Sequence, residues 1–537
     1  MKRKRINPVL LVVLILIVLY AIYLFLIEMQ VPMDSDFANQ VLEGNDILSG
    51  NVLLHGWNLT GITFYLTELP FYVLSAVFSG ISTRTYITAI FLTSLSLFLS
   101  GWILTQVKDR PLRLEEFLFY LGAAGMPLLP QAGAQRGHSG IFICSFLSFF
   151  CIGKIFESEH KKKWLIFYLI LTACGCMSDI TLLVISVVPV LIYCGVRLLQ
   201  KPPETEKKWD RLICLADLGG TAVGIVLDRL LIRISGINKN GFLSEHAFLD
   251  VDTCLEKFVI ILKGILLMFK NDFSKQPLFS LNTLRYVLMS MVLLLTLRII
   301  IETLRGFFAG KFTDAVSILL AMSLTLMTLA CYFTNIYLDN TTARYIAFFP
   351  GAAAALLIRW TKLKPPAEEN GSLKKERICL SAVFVLLCLL SIVPPVTSRK
   401  STPQDRLAAF LEENGLTDGY SDYWNASNTT VASKNKVRLR AVEIVTDSHT
   451  VSVGAVPESL KMLNWYCKTD WYRPEYANFI AFDASGEFNL EKDYLIQLLG
   501  EPDRILIEEQ DQYRVYVYER GIQDQVLLNT HAAKPAF

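Results

Sequence analysis

Apolar and polar positions fall along this chain in long blocks. An apolar run at 8–27 stands between the basic start MKRKR and an acidic stretch. Runs of similar character recur at about 84–106, 115–131, 139–156, 164–178, 180–199, 212–233, 284–304, 313–334, 344–360 and 378–397. Roughly 18 or more apolar residues carry a helix across the hydrocarbon layer. The pattern therefore predicts an α-helical polytopic membrane protein with about eleven transmembrane helices, and a transmembrane domain over 1–397. From residue 398 the blocks shorten. TPQDRLAAFLEENG reads as a helix stopped by Gly415. GYSDYW, TTVAS, KVRLRAVEIV, NFIAFD, RILIEE and YRVYVYE read as strands, with a second helix near 490–499, so 398–537 is expected to be a small α/β domain.

Two apolar stretches resist counting as spans. TFYLTELPFYVLSAVFSG (63–80) carries Glu68 and Pro70. LEKFVIILKGILLMFK (255–270) places Glu256, Lys263 and Lys270 seven residues apart on one helical face, as in a helix lying in the membrane plane. Basic residues settle the count, because Lys and Arg accumulate on the cytoplasmic side. They cluster at 2–5, at Lys108/Arg110/Arg113, at Lys161–Lys163, at Lys201/Lys207/Lys208/Arg211, at Arg298/Arg305/Lys311 and between Arg359 and Arg377, whereas Glu28 through Thr83 has none. With 63–80 in the plane, all six clusters fall on one side. The N-terminus is then cytoplasmic, and both the first loop (28–83) and the tail domain are extracytoplasmic.

Composition agrees with that class: 53% of the 537 residues are hydrophobic, 19% are charged, and mean hydropathy is +0.41. The net charge of +2 gives no reason to expect a nucleic-acid partner. Most of the eleven cysteines lie inside apolar runs, where cysteine behaves as a small hydrophobe. No CxxC pair or His/Cys cluster suggests zinc.

Once sides are assigned, polar residues from distant parts of the chain share one membrane edge. Asp34 and Asp36 follow the first span and His55 lies in the same loop. Arg136 and His138 lie in QAGAQRGHSG, Asp179 in MSDIT, Arg229 near the end of the seventh span, and Arg344 and Tyr345 in YLDNTTARY. Each has a plainer reading. Asp179 can cap a helix, Arg136, Arg229 and Arg344 can snorkel to headgroups, His55 can be solvated, and the aspartates can shape a turn. As a set they suit transfer from an anionic lipid carrier. A carboxylate can serve as general base. A carboxylate pair is a candidate ligand set for Mg²⁺ or Mn²⁺, and arginine neutralises a phosphate leaving group.

The layout resembles the GT-C membrane glycosyltransferases, and among them the bacterial protein mannosyltransferase and aminoarabinose transferase-like group (glycosyltransferase family 39-like). MDSDFANQVLEGNDILSGNVLLHGWNL resembles the acidic first loop of that group, TFYLTELPFYVLSAVFSG its in-plane segment, and ARYIAFFPGAAAALL the "RY" start of a late helix. The likeness covers roughly 1–397. It implies a polyprenyl-phosphate-linked sugar donor and a cell-envelope glycan, lipid or protein acceptor at the outer face of a bacterial plasma membrane. It also implies a base or metal-binding role for Asp34 and Asp36, and lipid-phosphate contacts for Arg344 and Tyr345. The loop lacks the DE pair common in the mannosyltransferases. Two other classes fit the layout: a non-catalytic scaffold or assembly factor for envelope glycans, and a lipid-carrier flippase or transporter. The absence of duplicated halves weighs against transport.

Overall fold

The computed structural model describes all residues except 1–6, 129–136, 201, 236–237, 240–246, 272–276, 338, 364–370, 391–397, 447–455, 484–491 and 529–537. Helix α1 (Pro8–Glu28) begins at Asn7, whose side chain accepts from the Val9 amide, and has Pro8 where a missing N–H matters least. There follow α2 (Ser35–Leu48), strand β1 (Trp57–Leu59), α3 (Leu69–Ser79), α4 (Thr83–Leu104) and α5 (Leu114–Tyr120). A π-helical turn at Leu121–Gly125 joins α5 to α6 (Met126–Leu128). Then come α7 (Ser139–Glu157) and α8 (Lys161–Ser178), and a second π-helical turn at Leu183–Val187 opens α9 (Val188–Leu199). The membrane part continues through α10 (Glu204–Ser235), β2 (Asn238–Lys239), α11 (Val251–Met268), α12 (Leu281–Phe308), α13 (Ala315–Phe333), α14 (Phe349–Leu363) and α15 (Gly371–Leu390).

Each of the eleven expected spans is helical over most of its described length. Among the described residues, α1, α4, α7, α12, α13 and Thr342–Leu363 are long and apolar enough to cross a bilayer by themselves. The others are shorter or more charged. Their apolar side chains pack into one continuous core with those of the six.

Helix α3 has 11 residues, about 16 Å at 1.5 Å each, too short for a crossing. It packs on α2 and α4 instead. Near the start of α11, Lys257 donates to the Thr334 carbonyl at the end of α13. Just beyond its other end, the Lys270 carbonyl accepts from Arg285 in the first turns of α12. Both ends of α11 are thus held where α13 ends and α12 begins.

The far side is tied by its own network. Buried Arg359 donates to both carboxylate oxygens of Asp314 (2.6 and 2.9 Å) and to the carbonyls of Leu104 and Gln106, while Lys362 pairs with Glu116 at 2.9 Å. All eleven cysteines are free thiols.

The tail begins with α16 (Pro403–Glu413), opened by a reciprocal Thr402–Asp405 capping box and closed before Gly415 at φ 71°. Next come β3 (Asp418–Ser421), α17 (Tyr423–Ala432), β4 (Arg438–Thr446), β5 (Pro457–Met462), β6 (Cys467–Lys468), β7 (Phe479–Asp483), α18 (Lys492–Leu499), β8 (Arg504–Glu508), β9 (Tyr513–Val517) and β10 (Val526–Leu527). Seven strands form a mixed sheet in the order β10-β5-β4-β3-β7-β9-β8.

The strand readings of GYSDYW and TTVAS are corrected. Only residues up to Ser421 are extended, and 423–432 form a helix. The Asp422 carboxylate accepts from the Trp424 and Asn425 amides and starts α17. Packing of α17 on α2 and β4 then overrides the strand preference of its threonines.

Loop and tail are interwoven. Strand β1 pairs antiparallel with β6 and parallel with β2, so one small sheet joins the first loop, the residues after α10, and the tail.

Candidate active site

Helix α2 exists because Asp34 caps it: a carboxylate oxygen accepts from the Phe37 amide at 3.0 Å. That cap places Asp36 in the first turn. There the Tyr423 hydroxyl, brought by α17 of the tail, donates to its carboxylate. Ser35 Oγ donates to the Tyr423 carbonyl at 2.7 Å, and Ser427 Oγ to Asn39 Oδ1 at 2.7 Å, so α17 lies locked along α2. Both aspartates are partly exposed.

Burial, with help from the neighbouring Asp36 charge, pushes Asp34 up to about 7. The Phe37 amide and the Arg344 charge pull the other way. Arg344 is half-buried, and its Nε is sealed from solvent without a hydrogen-bond partner. Its guanidinium lies 5.7 Å from the Tyr345 ring centre. Its Cδ passes so close to Gly137 that a Cβ there would sit 3.3 Å away.

Next to Arg344 lies His138, at a left-handed φ of 68° just before α7. Its ring packs at a tilt on Tyr345, 4.5 Å between centroids, and bonds through Nδ1 to Asp179. Burial alone would raise Asp179, but His138 and the Thr181 amide hold it below the usual carboxylate range. Asp179 thus pairs with the histidine while holding the turn at Thr181, ahead of the helix that follows. Glu68 completes the row. Its Oε1 accepts from the Gly140 amide at 2.9 Å, at the positive end of α7. Burial raises Glu68 to about 8, and its Oε2 is buried without a partner.

A carboxylate pair, a guanidinium and a His–Asp couple, each at the mouth of a different helix, thus gather on one side of the bundle. Two solved structures of ArnT from Cupriavidus metallidurans share this architecture, one in the apo state and one bound to undecaprenyl phosphate. Each has 10% sequence identity and a TM-score of 0.52, over 94% of this chain and 97% of that one. The fold is ArnT-like, of the GT-C type. No family model and no curated protein matches the sequence.

Within this ArnT-like frame the candidate residues sort by position. Asp34, Asp36, His138, Asp179, Arg344 and Tyr345 come together. His55 does not: it is exposed, its Nδ1 bonded to the Ser235 carbonyl at 2.9 Å and its amide to Asn51. Arg229 is exposed on α10, and none of the contacts described within the cluster involves it. Arg136 lies outside the described residues. The spacing of residues did not reveal Tyr423, which lies 387 positions from its partner Asp36. Glu68 was visible as a lone carboxylate in an apolar segment.

Among the described residues no group of three or more His, Cys, Asp and Glu is placed to hold a metal ion.

Proposed function

We propose that the protein is a membrane glycosyltransferase. It moves a sugar from a polyprenyl-phosphate-linked donor to a cell-envelope glycan, lipid or protein at the outer face of a bacterial plasma membrane. The observation that carries this reading is Asp34, raised by burial beside Asp36 and within the field of Arg344, whose buried Nε lacks a partner, in a fold whose ArnT neighbour was solved bound to undecaprenyl phosphate. The basic clusters on the opposite side support the orientation.

The step follows from charge. Asp34, poised near neutrality, takes the proton of the acceptor hydroxyl as its oxygen bonds to the anomeric carbon. The bond from that carbon to the phosphate oxygen breaks, and the polyprenyl phosphate leaves with the electron pair. Arg344 takes up the developing negative charge. Attack opposite the leaving phosphate inverts the anomeric centre. Asp36, fixed by Tyr423, keeps the local field negative and sets the orientation of the first turn of α2. Two carboxylates, each with one oxygen already engaged, are too few ligands for a resident divalent cation. Asp34 and Asp36 would hold Mg²⁺ or Mn²⁺ only jointly with the donor phosphate.

The test is a gene deletion in the native host, with sugar analysis of envelope polymers, complemented by wild type or by Asp34→Asn/Asp36→Asn. Loss of one sugar, restored by wild type alone, supports the proposal. Equal restoration by the double variant refutes it and favours the scaffold reading.

A further inference from the structure

The tail domain carries a second recess, away from the carboxylate pair. Strands β3 and β4 run parallel with Asp418 opposite Arg438 and Tyr420 opposite Arg440, so these four side chains project from one face of the sheet. The short turn after β6 lays Asp470 and Trp471 beside them, leaving a cleft of about 180 Å³.

Its polar groups are unevenly satisfied. Arg438 is neutralised by Asp418 at 2.6 Å. Arg440 has no such partner: its guanidinium stacks on the Trp471 ring at 4.4 Å, and its Nη1 is buried without a hydrogen bond. On the neighbouring strand the Tyr420 hydroxyl is likewise buried and unpartnered. Burial lowers Arg440 to about 10, as expected of a cation removed from water without a full counter-charge. Two buried donors on paired strand positions at one cleft, both unused by the chain, are available to a ligand.

We propose that this cleft is a binding subsite for a monosaccharide-sized group bearing one oxyanion, either a carboxylate or a phosphate ester. Arg440 binds the oxyanion, Tyr420 donates a second hydrogen bond, and Asp470 accepts from a sugar hydroxyl. The indole of Trp471 holds the guanidinium plane in place. Trp471 also meets Trp57 of the first loop edge-on at 5.0 Å, which ties this wall of the cleft to the loop. The proposal concerns binding and stands whether or not the transferase reading holds.

The test uses the full chain in lipid nanodiscs, with glucuronate, glucose 6-phosphate, glucose and inorganic phosphate titrated by calorimetry and ligand-observed NMR. Saturable binding of glucuronate or glucose 6-phosphate, with glucose much weaker, is expected, and the better of the two identifies the oxyanion. Arg440→Gln should weaken that binding at least about tenfold, as expected when a charge-assisted contact is lost. Tyr420→Phe removes a hydroxyl the folded chain does not use, so it should melt like wild type and still bind several-fold more weakly. The proposal is overturned if neither anionic sugar binds at millimolar concentration. It is also overturned if inorganic phosphate binds as well as the sugar phosphate, or if Tyr420→Phe leaves affinity unchanged.

Discussion

Replacing Tyr423 by Phe removes one oxygen, the donor that holds Asp36. The rest of the contact survives. Ser35 still reaches the Tyr423 carbonyl, Ser427 still reaches Asn39, and the ring still packs edge-on against Trp424 at 5.1 Å. The loss is therefore local to Asp36 and its neighbour Asp34. A hydrogen bond to a charged group contributes about 1.5–3 kcal/mol. If Asp36 must be held in place for the carboxylate pair to work, losing that energy slows transfer about 10- to 150-fold, at ~1.4 kcal/mol per decade. The assay is complementation of the deletion strain at matched membrane levels, read as the rate at which the missing sugar returns to envelope polymers, alongside thermal melting of purified protein. Expected are a folded protein whose melting temperature falls by no more than a few degrees and a rate reduced by that factor. A Phe variant indistinguishable from wild type would show that the tail does not position the carboxylates, and the role assigned to α17 would fall.

Asp34→Asn should lower transfer by about 10²–10⁴, the usual contribution of a general base. In wild type the rate should climb as pH rises through about 7, where Asp34 becomes ionised; a flat profile from pH 6 to 8 would refute the assignment. Stability should move the opposite way. Asp34, Glu43 and Glu68 are raised to about 7, 8 and 8, so between about pH 4 and 8 the folded form holds protons that the unfolded chain has released, and melting temperature should fall across that window. At Gly140 a Cβ would lie 2.7 Å from the Thr67 carbonyl carbon and 2.9 Å from Glu68 Oε2. Gly140→Ala should therefore cost about 1–3 kcal/mol and depress activity by displacing Glu68, and unchanged melting would show that the contact relaxes freely. On the far side, Arg359→Met strands Asp314 and should destabilise by about 3–5 kcal/mol; adding Asp314→Asn should recover part of that loss in a melting assay.

The membrane part was legible because its signals are local. Run length locates the apolar helices, and the charges within 63–80 and 255–270 set those two segments apart from them. The site was legible only as separate fragments. His138 and Asp179 stand out individually, yet nothing in the spacing of residues 41 positions apart indicates that they pair. His55 and Arg229 carry the right chemistry in the right depth zone. Depth, however, leaves the direction around the bundle axis undetermined, and both sit outside the cluster. Residues 423–432 defeated propensity because a cap at Asp422 and docking on α2 outweigh the strand preference of a threonine pair.

Helix α2 links these observations. It has 14 residues, too few for a stable isolated helix, and its buried faces include Asn39, Gln40 and Glu43. What holds it is external: α3 on one flank and the tail on the other. Tyr466 donates to Glu43 at 2.9 Å and Lys468 bonds Asp46 at 3.0 Å, about two and three turns beyond the carboxylate pair. The helix that presents Asp34 and Asp36 is therefore shaped as much by residues beyond 420 as by its own loop. Although the polarity pattern changes near residue 398, the contacts run straight across that point. A tail cut away at 398 would remove the hydroxyls that bond Glu43 and Asp36 and the α17 contacts that hold α2. The first loop and the tail therefore work as one folded unit above the membrane helices.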